Sequence, residues 1–123
     1  MIPRGAFLFW STVMLGVLVL LPGCDSGLRK SDAELGLNAQ QVAGRRIYDQ
    51  YCDSCHAAYS SRSKKADSLQ GVFKKQYLPK SGLPANDERV AEITRSGRGM
   101  MPGFGPVLND QQIQDLLAYL HTL

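Results

Sequence analysis

The 123-residue sequence is poor in the side chains that bind metals or form disulfide frameworks. It has only two histidines and three cysteines. A zinc site with four Cys or His ligands would use almost all of them, and a framework of six cysteines is excluded. Basic and acidic residues nearly balance, at 14 against 11, so the net charge is only +3. That charge is far below what nucleic-acid binding requires, and no nucleic-acid partner is expected.

The long apolar run of the sequence lies at its N-terminus. Arg4 precedes an apolar stretch over residues 6–21, and small residues follow it before Cys24. A basic start, an apolar centre and small residues at the end are typical of a secretory signal peptide, predicted here over residues 1–23. Residues 5–24 carry no charge and are long enough to cross a bilayer, so an uncleaved anchor and plain secretion remain alternatives.

The sequence Leu21-Pro22-Gly23-Cys24 resembles a bacterial lipoprotein box, although Pro22 departs from the usual residue. The resemblance implies that Cys24 receives lipid and becomes the mature N-terminus. Asp25, directly after it, is similar to the signal that retains some lipoproteins at the inner membrane. The expected location is therefore the periplasmic side of a bacterial membrane, with the domain held by lipid on Cys24.

The rest of the chain reads as helices and loops, with no strand. Residues 24–37 are polar and predict a flexible tether, and residues 38–123 predict a single domain. Periodic apolar residues predict helices over 39–53, 69–78 and 87–96 and after residue 109. Asn38, Asn86 and Asn109 are the expected N-caps, and Gln112 completes a capping box. The inward side chains are expected to include Leu69, Val72, Phe73, Tyr77, Val90 and Ile93.

The chemistry is concentrated in Cys52-Asp53-Ser54-Cys55-His56, the C-x-x-C-H signature of covalent haem attachment. Two thiols on one helical turn can each bond a vinyl group of one porphyrin, and the next residue presents an imidazole to the iron. Three alternatives compete. Redox dithiols share the C-x-x-C spacing but sit near strands, zinc would need further ligands from Cys24 and His121, and a disulfide would leave His56 without a role.

A haem iron held by His56 has a further axial position to fill. The glycine-rich loop of residues 97–105 offers Met100 and Met101, and methionine sulfur is a soft ligand that raises the reduction potential. The loop does not fit a phosphate-binding glycine pattern. From the residues alone, the two methionines are equally well explained as filling a small core.

The ordered set of short motifs resembles class I cytochrome c over roughly residues 40–123. Gly44 and Tyr48 lie eight and four residues before Cys52, as a glycine and an aromatic do in that family. The SLQG segment with Leu69 and Gly71 is similar to the family's segment packed against the haem. His56 matches the proximal haem ligand of the family. Met101-Pro102 matches its ligand methionine, which stands before a proline in many members, and residues 116–120 resemble its C-terminal helix.

The resemblance implies an all-α cytochrome c fold with three main helices and short helices around one covalent haem c. It implies that Cys52 and Cys55 bond the haem and that His56 and Met101 are its axial iron ligands. Met100, His121 or an open position are the alternatives for the sixth ligand. The terminal helices are expected to cross at Gly44, Tyr48, Leu116 and Tyr119. Two departures are Ala57, in place of a glycine, and a polar segment at 60–66 that lacks the usual proline.

The implied function is single-electron transfer outside the cytoplasm, by a protein that is not itself an enzyme. A mobile carrier and a fixed haem subunit of a membrane redox complex fit equally well. The alternative from another class is a haem sensor or peroxidase-like enzyme with a displaceable sixth ligand. The expected partners are redox proteins with acidic docking surfaces, which would meet a basic rim formed by Arg62, Lys64, Lys65, Lys74, Lys75 and Lys80.

Overall fold

Three α-helices dominate the computed structural model, which describes residues 29–123. They are α1 (Ala39–Tyr51), α2 (Asp87–Ser96) and α3 (Asp110–Leu120), with one 3₁₀ turn at Val72–Lys74. No strand occurs in the described residues, and the predicted all-α fold is confirmed. The predicted signal peptide and Cys24 lie outside the described residues. Among the helices of residues 29–123, none combines the length and apolar character that crossing a membrane requires.

Asparagine caps start all three helices, as the sequence predicts. The Asn109 side chain accepts the Gln112 N–H at 2.9 Å, and the Gln112 side chain accepts the Asn109 N–H in return. Asn38 and Gln41 form the same reciprocal box at the start of α1. Asn86 caps α2 through the N–H of Arg89. Each cap satisfies a backbone donor that would otherwise lack a partner, and is worth about 1 kcal/mol.

The domain is organised by the crossing of α1 and α3, which brings the two ends of the described chain together. At Gly44 a Cβ would lie 1.9 Å from the Asp115 carbonyl oxygen and 2.9 Å from the Tyr119 Cβ. The rings of Tyr48 and Tyr119 are both fully buried, with centroids 5.4 Å apart. Leu116 is buried beside them. The predicted crossing is thus confirmed, and the helix-weakening glycine is explained by close backbone approach.

We expect Gly44→Ala to lower the free energy of unfolding by at least about 2 kcal/mol, despite the better helix propensity of alanine. The reason is that the new methyl group meets the Asp115 backbone carbonyl, which can move only if α3 moves with it. Thermal unfolding of the haem-loaded protein measures the effect. Arg46→Ala changes an exposed position of the same helix and should stay within about 0.5 kcal/mol. Equal stability of the two variants would contradict this packing argument.

The segment between α1 and α2 contains less helix than the sequence predicts. The expected helix over 69–78 is only the 3₁₀ turn Val72–Lys74. Gly71 stands directly before this turn with φ 62°, in the left-handed region, so a right-handed helix cannot continue through it. Tyr77, expected inward, is 53% exposed, and its backbone pairs with Pro84 in an isolated antiparallel bridge and not in a helix.

The residues that α2 buries also differ from those predicted. Val90 and Ile93 are only half-buried, and the fully buried positions are Ala91 and Thr94. Thr94 is accommodated because its hydroxyl donates to the Val90 carbonyl at 2.8 Å. A small residue and an internally satisfied hydroxyl let α2 approach the core, which apolar periodicity alone does not reveal.

Part of the predicted tether is folded onto the domain. Residues 31–37 form a turn in which the N–H of Leu37 donates to the Asp32 carbonyl at 3.0 Å. Asp32 forms an ion pair with Arg45, whose side chain is buried. Leu37 packs against the core. The compact unit therefore begins at Ser31, seven residues before the predicted domain start at residue 38, because these side chains find partners on α1.

Candidate haem site

The two cysteines and the histidine of the C-x-x-C-H motif lie on one tight turn at the end of α1. The N–H of Cys52 donates to the Tyr48 carbonyl as in a helix, and the helix then ends because the N–H of Asp53 donates to that same carbonyl, one residue out of the helical pattern. The N–H groups of Cys55 and His56 then turn back to the Cys52 carbonyl, at 3.0 and 2.9 Å. Both cysteines are free thiols, Cys52 buried and Cys55 half-buried. Two thiols and an imidazole are thus gathered by local backbone bonds.

The His56 ring is held in one tautomer. Its Nδ1 lies 2.7 Å from the Asp67 carbonyl oxygen, which can only accept, so Nδ1 carries the proton. In the neutral imidazole the Nε2 atom then keeps its lone pair, and no hydrogen bond engages it among residues 29–123. The His56 carbonyl accepts the Tyr48 hydroxyl at 2.6 Å. An imidazole fixed through Nδ1 with Nε2 left as a ligand is the arrangement that metal-binding histidines adopt.

The environment of Cys52 does not suit thiolate chemistry. Burial raises the pKa of the Cys52 thiol to about 12, with smaller contributions from the charges of Cys55, Asp49 and Asp53. A catalytic redox dithiol needs the opposite, a thiol that readily loses its proton. The redox-dithiol alternative of the sequence analysis thus finds no electrostatic support here.

The polar loop after the motif folds back over the attachment turn. The N–H of Ala66 donates to the Cys55 carbonyl at 3.0 Å, and Lys64 Nζ donates to the Asp53 carbonyl at 2.6 Å and its carboxylate at 2.9 Å. Ala57, which stands in place of the family's glycine, is buried. The polar segment at 60–66 therefore packs on this turn. Backbone and charged contacts hold it there, although it lacks the proline that is usual in the family.

The two neighbouring methionines of the 97–105 loop (the methionine loop) differ in burial. The N–H of each of Arg98 and Met101 donates to the carbonyl of the other at 3.0 Å, which closes a tight turn with Gly99 at φ 59°. Met100 occupies the tip with its side chain 95% exposed. Met101 returns towards the domain and is half-buried. Of the two candidates for the sixth ligand, only Met101 has its side chain partly inside the protein.

The glycines of this loop permit close backbone packing on the end of α2. A Cβ on Gly97 would lie 2.5 Å from the Met101 carbonyl oxygen, and one on Gly103 would lie 2.7 Å from the Arg95 carbonyl oxygen. The N–H groups of the next two residues, Phe104 and Gly105, donate to the last carbonyls of α2. The loop is therefore anchored on both sides of Met101, and its glycines serve contact between backbones.

Phe104 and Tyr51 join the methionine loop to the attachment turn. Their rings pack with centroids 5.5 Å apart, and Tyr51 directly precedes Cys52. The sequence analysis did not single out this pair as linking the two halves of the site. An aromatic beside the first cysteine and another three residues after the methionine were the available signal. The contact packs the methionine loop against the end of α1, directly before the attachment turn.

His121 lies elsewhere and has other partners. Its ring stacks on Phe73 with centroids 3.9 Å apart, and its Nε2 lies 2.7 Å from an Asp87 carboxylate oxygen. It is exposed and follows the end of α3 as the C-cap residue. The alternative of His121 as an iron ligand therefore has no support from its placement.

The residues present fit a covalently held haem. Two thiols and an imidazole on one turn supply the attachment groups and a nitrogen donor, and Met101 supplies a soft sulfur donor on a loop packed against that turn. All buried side-chain nitrogen and oxygen atoms of the described residues have hydrogen-bond partners. The site therefore offers donors of the type that hold haem iron and contains no buried polar group left over for another ligand.

Comparisons with known proteins agree with this chemistry. The family described as cytochrome c oxidase, cbb3-type, subunit III matches residues 39–120, which include both halves of the site. The cytochrome c6 of Nostoc sp. (strain PCC 7120 / SAG 25.82 / UTEX 2576) is 34% identical over 84 residues, covering 68% of this chain and 71% of that protein. The cytochrome c6 of Leptolyngbya boryana is 33% identical over 82 residues, covering 67% of this chain and 91% of that protein.

A further relative is a much longer protein. The cbb3-type cytochrome c oxidase subunit CcoP of Azospirillum sp. (strain B510) is 30% identical over 101 residues, which cover 76% of this chain but 34% of that subunit. The chain is thus similar both to small cytochromes and to one part of an oxidase subunit.

Proposed function

The chain belongs to the class I c-type cytochromes, and from that premise we propose that Cys52 and Cys55 bond the haem and that His56 and Met101 are its axial ligands. The protein transfers single electrons, as a carrier or as the haem-bearing subunit of a respiratory complex. When bound, the haem c supplies the ferric–ferrous couple. The polypeptide binds the group covalently, orients it and sets its surroundings.

The observation that carries this proposal is the state of the His56 ring. Its Nδ1–H is committed to the Asp67 carbonyl, so Nε2 keeps a lone pair on the same turn as both thiols. The bond also makes the imidazole a stronger donor. Met101, half-buried and tied to Arg98 by two backbone bonds, is the sulfur donor best placed to complete the pair.

If His56 and Met101 both hold the iron, no coordination position would remain for a substrate. The protein then acts as a carrier or a complex subunit and has no catalytic residues of its own. The sensor or peroxidase-like alternative requires the Met101 sulfur to leave the iron. The bonds that hold the loop on the end of α2, from Phe104 to Thr94 at 2.8 Å and from Gly105 to Arg95 at 3.0 Å, favour retention of the ligand.

Optical spectra of the oxidised and reduced protein test this proposal. We expect a six-coordinate haem, with the methionine–iron absorption band in the ferric form and slow binding of carbon monoxide by the ferrous form. Haem staining after denaturation should show that the group is covalent. Carbon monoxide binding as fast as that of an open haem would favour the sensor or enzyme instead.

We further propose that the domain is held at the periplasmic side of a bacterial membrane by lipid on Cys24. The lipoprotein-like sequence Leu21–Cys24 supports this anchor. Each buried CH₂ of a lipid chain contributes about 0.8 kcal/mol, so a multiply acylated cysteine binds firmly.

Cys24→Ser should move the protein from the membrane fraction to the soluble fraction, or leave an uncleaved precursor, because the acyl acceptor is lost. Fractionation and mass spectrometry of the N-terminus distinguish the two results. Ser26→Ala, two residues further on, should leave the anchor unchanged. In the wild type, an unmodified peptide running from Leu20 through Cys24 would show that the signal remains uncleaved.

The proposed docking surface for an acidic redox partner is smaller than the predicted basic rim. Lys64 is paired with Asp53 at 2.9 Å, Lys80 lies 3.9 Å from Asp67, and Lys74 donates to the Leu123 carbonyl. Three members keep exposed charges for which no ion pair occurs within residues 29–123: Arg62, Lys65 and Lys75. Because Lys64 and Ala66 contact the attachment turn, Lys65 is the best-placed of these for a partner that approaches the haem.

Lys65→Glu should slow electron transfer to an acidic partner at low salt, roughly two- to five-fold, since steering is shared among several charges. Lys65→Gln changes the charge by half as much and should give an intermediate rate. Stopped-flow measurements over a range of salt concentrations check both, and the differences should vanish at high ionic strength because of screening. If the rate of electron transfer at low salt is the same in both variants as in the wild type, this basic rim is not part of the docking surface.

A further inference from the structure

The neighbouring side chains of Met100 and Met101 carry the same thioether group but differ in their exposure to solvent. Met100 stands at the tip of a turn with its side chain 95% exposed, and Met101 is half-buried. The turn is closed by two backbone bonds, because the N–H groups of Arg98 and Met101 each donate to the carbonyl of the other at 3.0 Å. The loop conformation itself therefore gives the two sulfurs different access.

An exposed thioether at this position has no packing role. Met100 is the most exposed of the four large apolar residues that the described chain leaves on its surface, beside Tyr59, Tyr77 and Val107. The core residues and the partly buried side chains packed against them do not include Met100. Its sulfur is therefore open to reagents in solution.

We propose that Met100 is a modification site: its sulfur is oxidised by small peroxides that would otherwise oxidise Met101. In the step, the O–O bond of the peroxide breaks and one oxygen bonds to the Met100 sulfur, which gives up an electron pair. With hydrogen peroxide, the other oxygen leaves as water with the two peroxide protons, and with an alkyl hydroperoxide it leaves as the alcohol. The product is methionine sulfoxide, which reductases of the cell convert back to methionine.

The two possible products differ sharply in their consequences. A sulfoxide on Met100 lies in water and disturbs no packing. A sulfoxide on Met101 places a polar group at a half-buried position and removes the soft sulfur donor. The value of sparing Met101 rests on the proposed role of that residue as an axial ligand. The difference in access between the two sulfurs does not depend on that role.

The test uses the haem-loaded protein and hydrogen peroxide. In the wild type under excess peroxide, we expect sulfoxide to form at Met100 about ten-fold faster than at Met101, because oxidation follows exposure. Fragment ions that separate the two adjacent residues in a mass spectrum quantify each site. The methionine–iron band should persist while Met100 is being oxidised. Equal rates at the two residues would overturn the proposal.

A limiting dose of peroxide tests whether oxidation of Met100 protects Met101 or merely occurs beside it. With one equivalent of peroxide, Met100→Leu should lose several-fold more of the methionine–iron band than the wild type, because the competing sulfur is gone. Under excess peroxide, both proteins should lose the band at the same rate, since a scavenger acts only while the oxidant is limiting. Equal losses at the limiting dose would overturn the protective role. If the untreated wild type lacks the band, the ligand assignment fails, while the mapped sulfoxides still decide the modification site.

Discussion

Replacing Met101 with alanine should lower the reduction potential of the haem by on the order of 0.1 V or more, within the ~0.8 V that axial ligands span. The thioether stabilises ferrous iron, so its loss shifts the couple towards the ferric form. The vacated position should bind carbon monoxide rapidly and allow weak peroxidase activity. Potentiometric titration and carbon monoxide binding measure the two effects.

The matched control for Met101→Ala is Met100→Ala. Met100 is 95% exposed at the tip of the loop, so its removal should leave the ligation spectrum and the potential unchanged. Both variants keep the backbone bonds between Arg98 and residue 101, which involve no side chain. If Met100→Ala abolishes the methionine–iron band and Met101→Ala retains it, the ligand assignment is displaced by one residue.

Replacing both Cys52 and Cys55 with alanine should leave little stable holoprotein, roughly a tenth of the wild-type yield or less, because haem binding and folding are linked. Haem would fill the middle of a domain whose core comes mainly from α1 and α3, and the 57–83 region has little regular structure of its own. Without covalent attachment, we expect this region to be loose. Haem staining of denatured protein and circular dichroism check the two statements.

The single variants Cys52→Ala and Cys55→Ala serve as controls. Each keeps one thiol for attachment, so each should retain covalent haem at an intermediate yield. Cys55→Ala should be the milder change to the protein core, because Cys55 is half-buried whereas Cys52 is buried. Recovery of a folded, haem-free double variant with the stability of the wild-type holoprotein would contradict the linkage.

Several features of the protein followed from the sequence alone, because local chemistry determines them. Asn38, Asn86 and Asn109 cap helices through contacts within four residues, so their roles are readable without the fold. A close helix contact at Gly44 was also predictable, since this residue carries no side chain on an otherwise apolar face, and the family resemblance supplied its partner helix. The attachment motif is local in the same sense, because backbone bonds within Cys52–His56 bring its three side chains together. Identification of the haem rested on that motif, and identification of the family rested on the ordered set of short motifs around it.

The tertiary structure decided the features that depend on distant or backbone partners. The group that orients His56 is the carbonyl of Asp67, and a carbonyl is present in every residue, so no sequence pattern marks it. The packing of Phe104 on Tyr51 joins segments about fifty positions apart, and apolar periodicity reports only which side of one helix is buried. The same holds for the buried Arg45, whose partner Asp32 draws the predicted tether onto the domain. Sequence thus determined which groups the chain offers, and the fold determined which of them meet, because contact depends on a backbone path set by the whole domain.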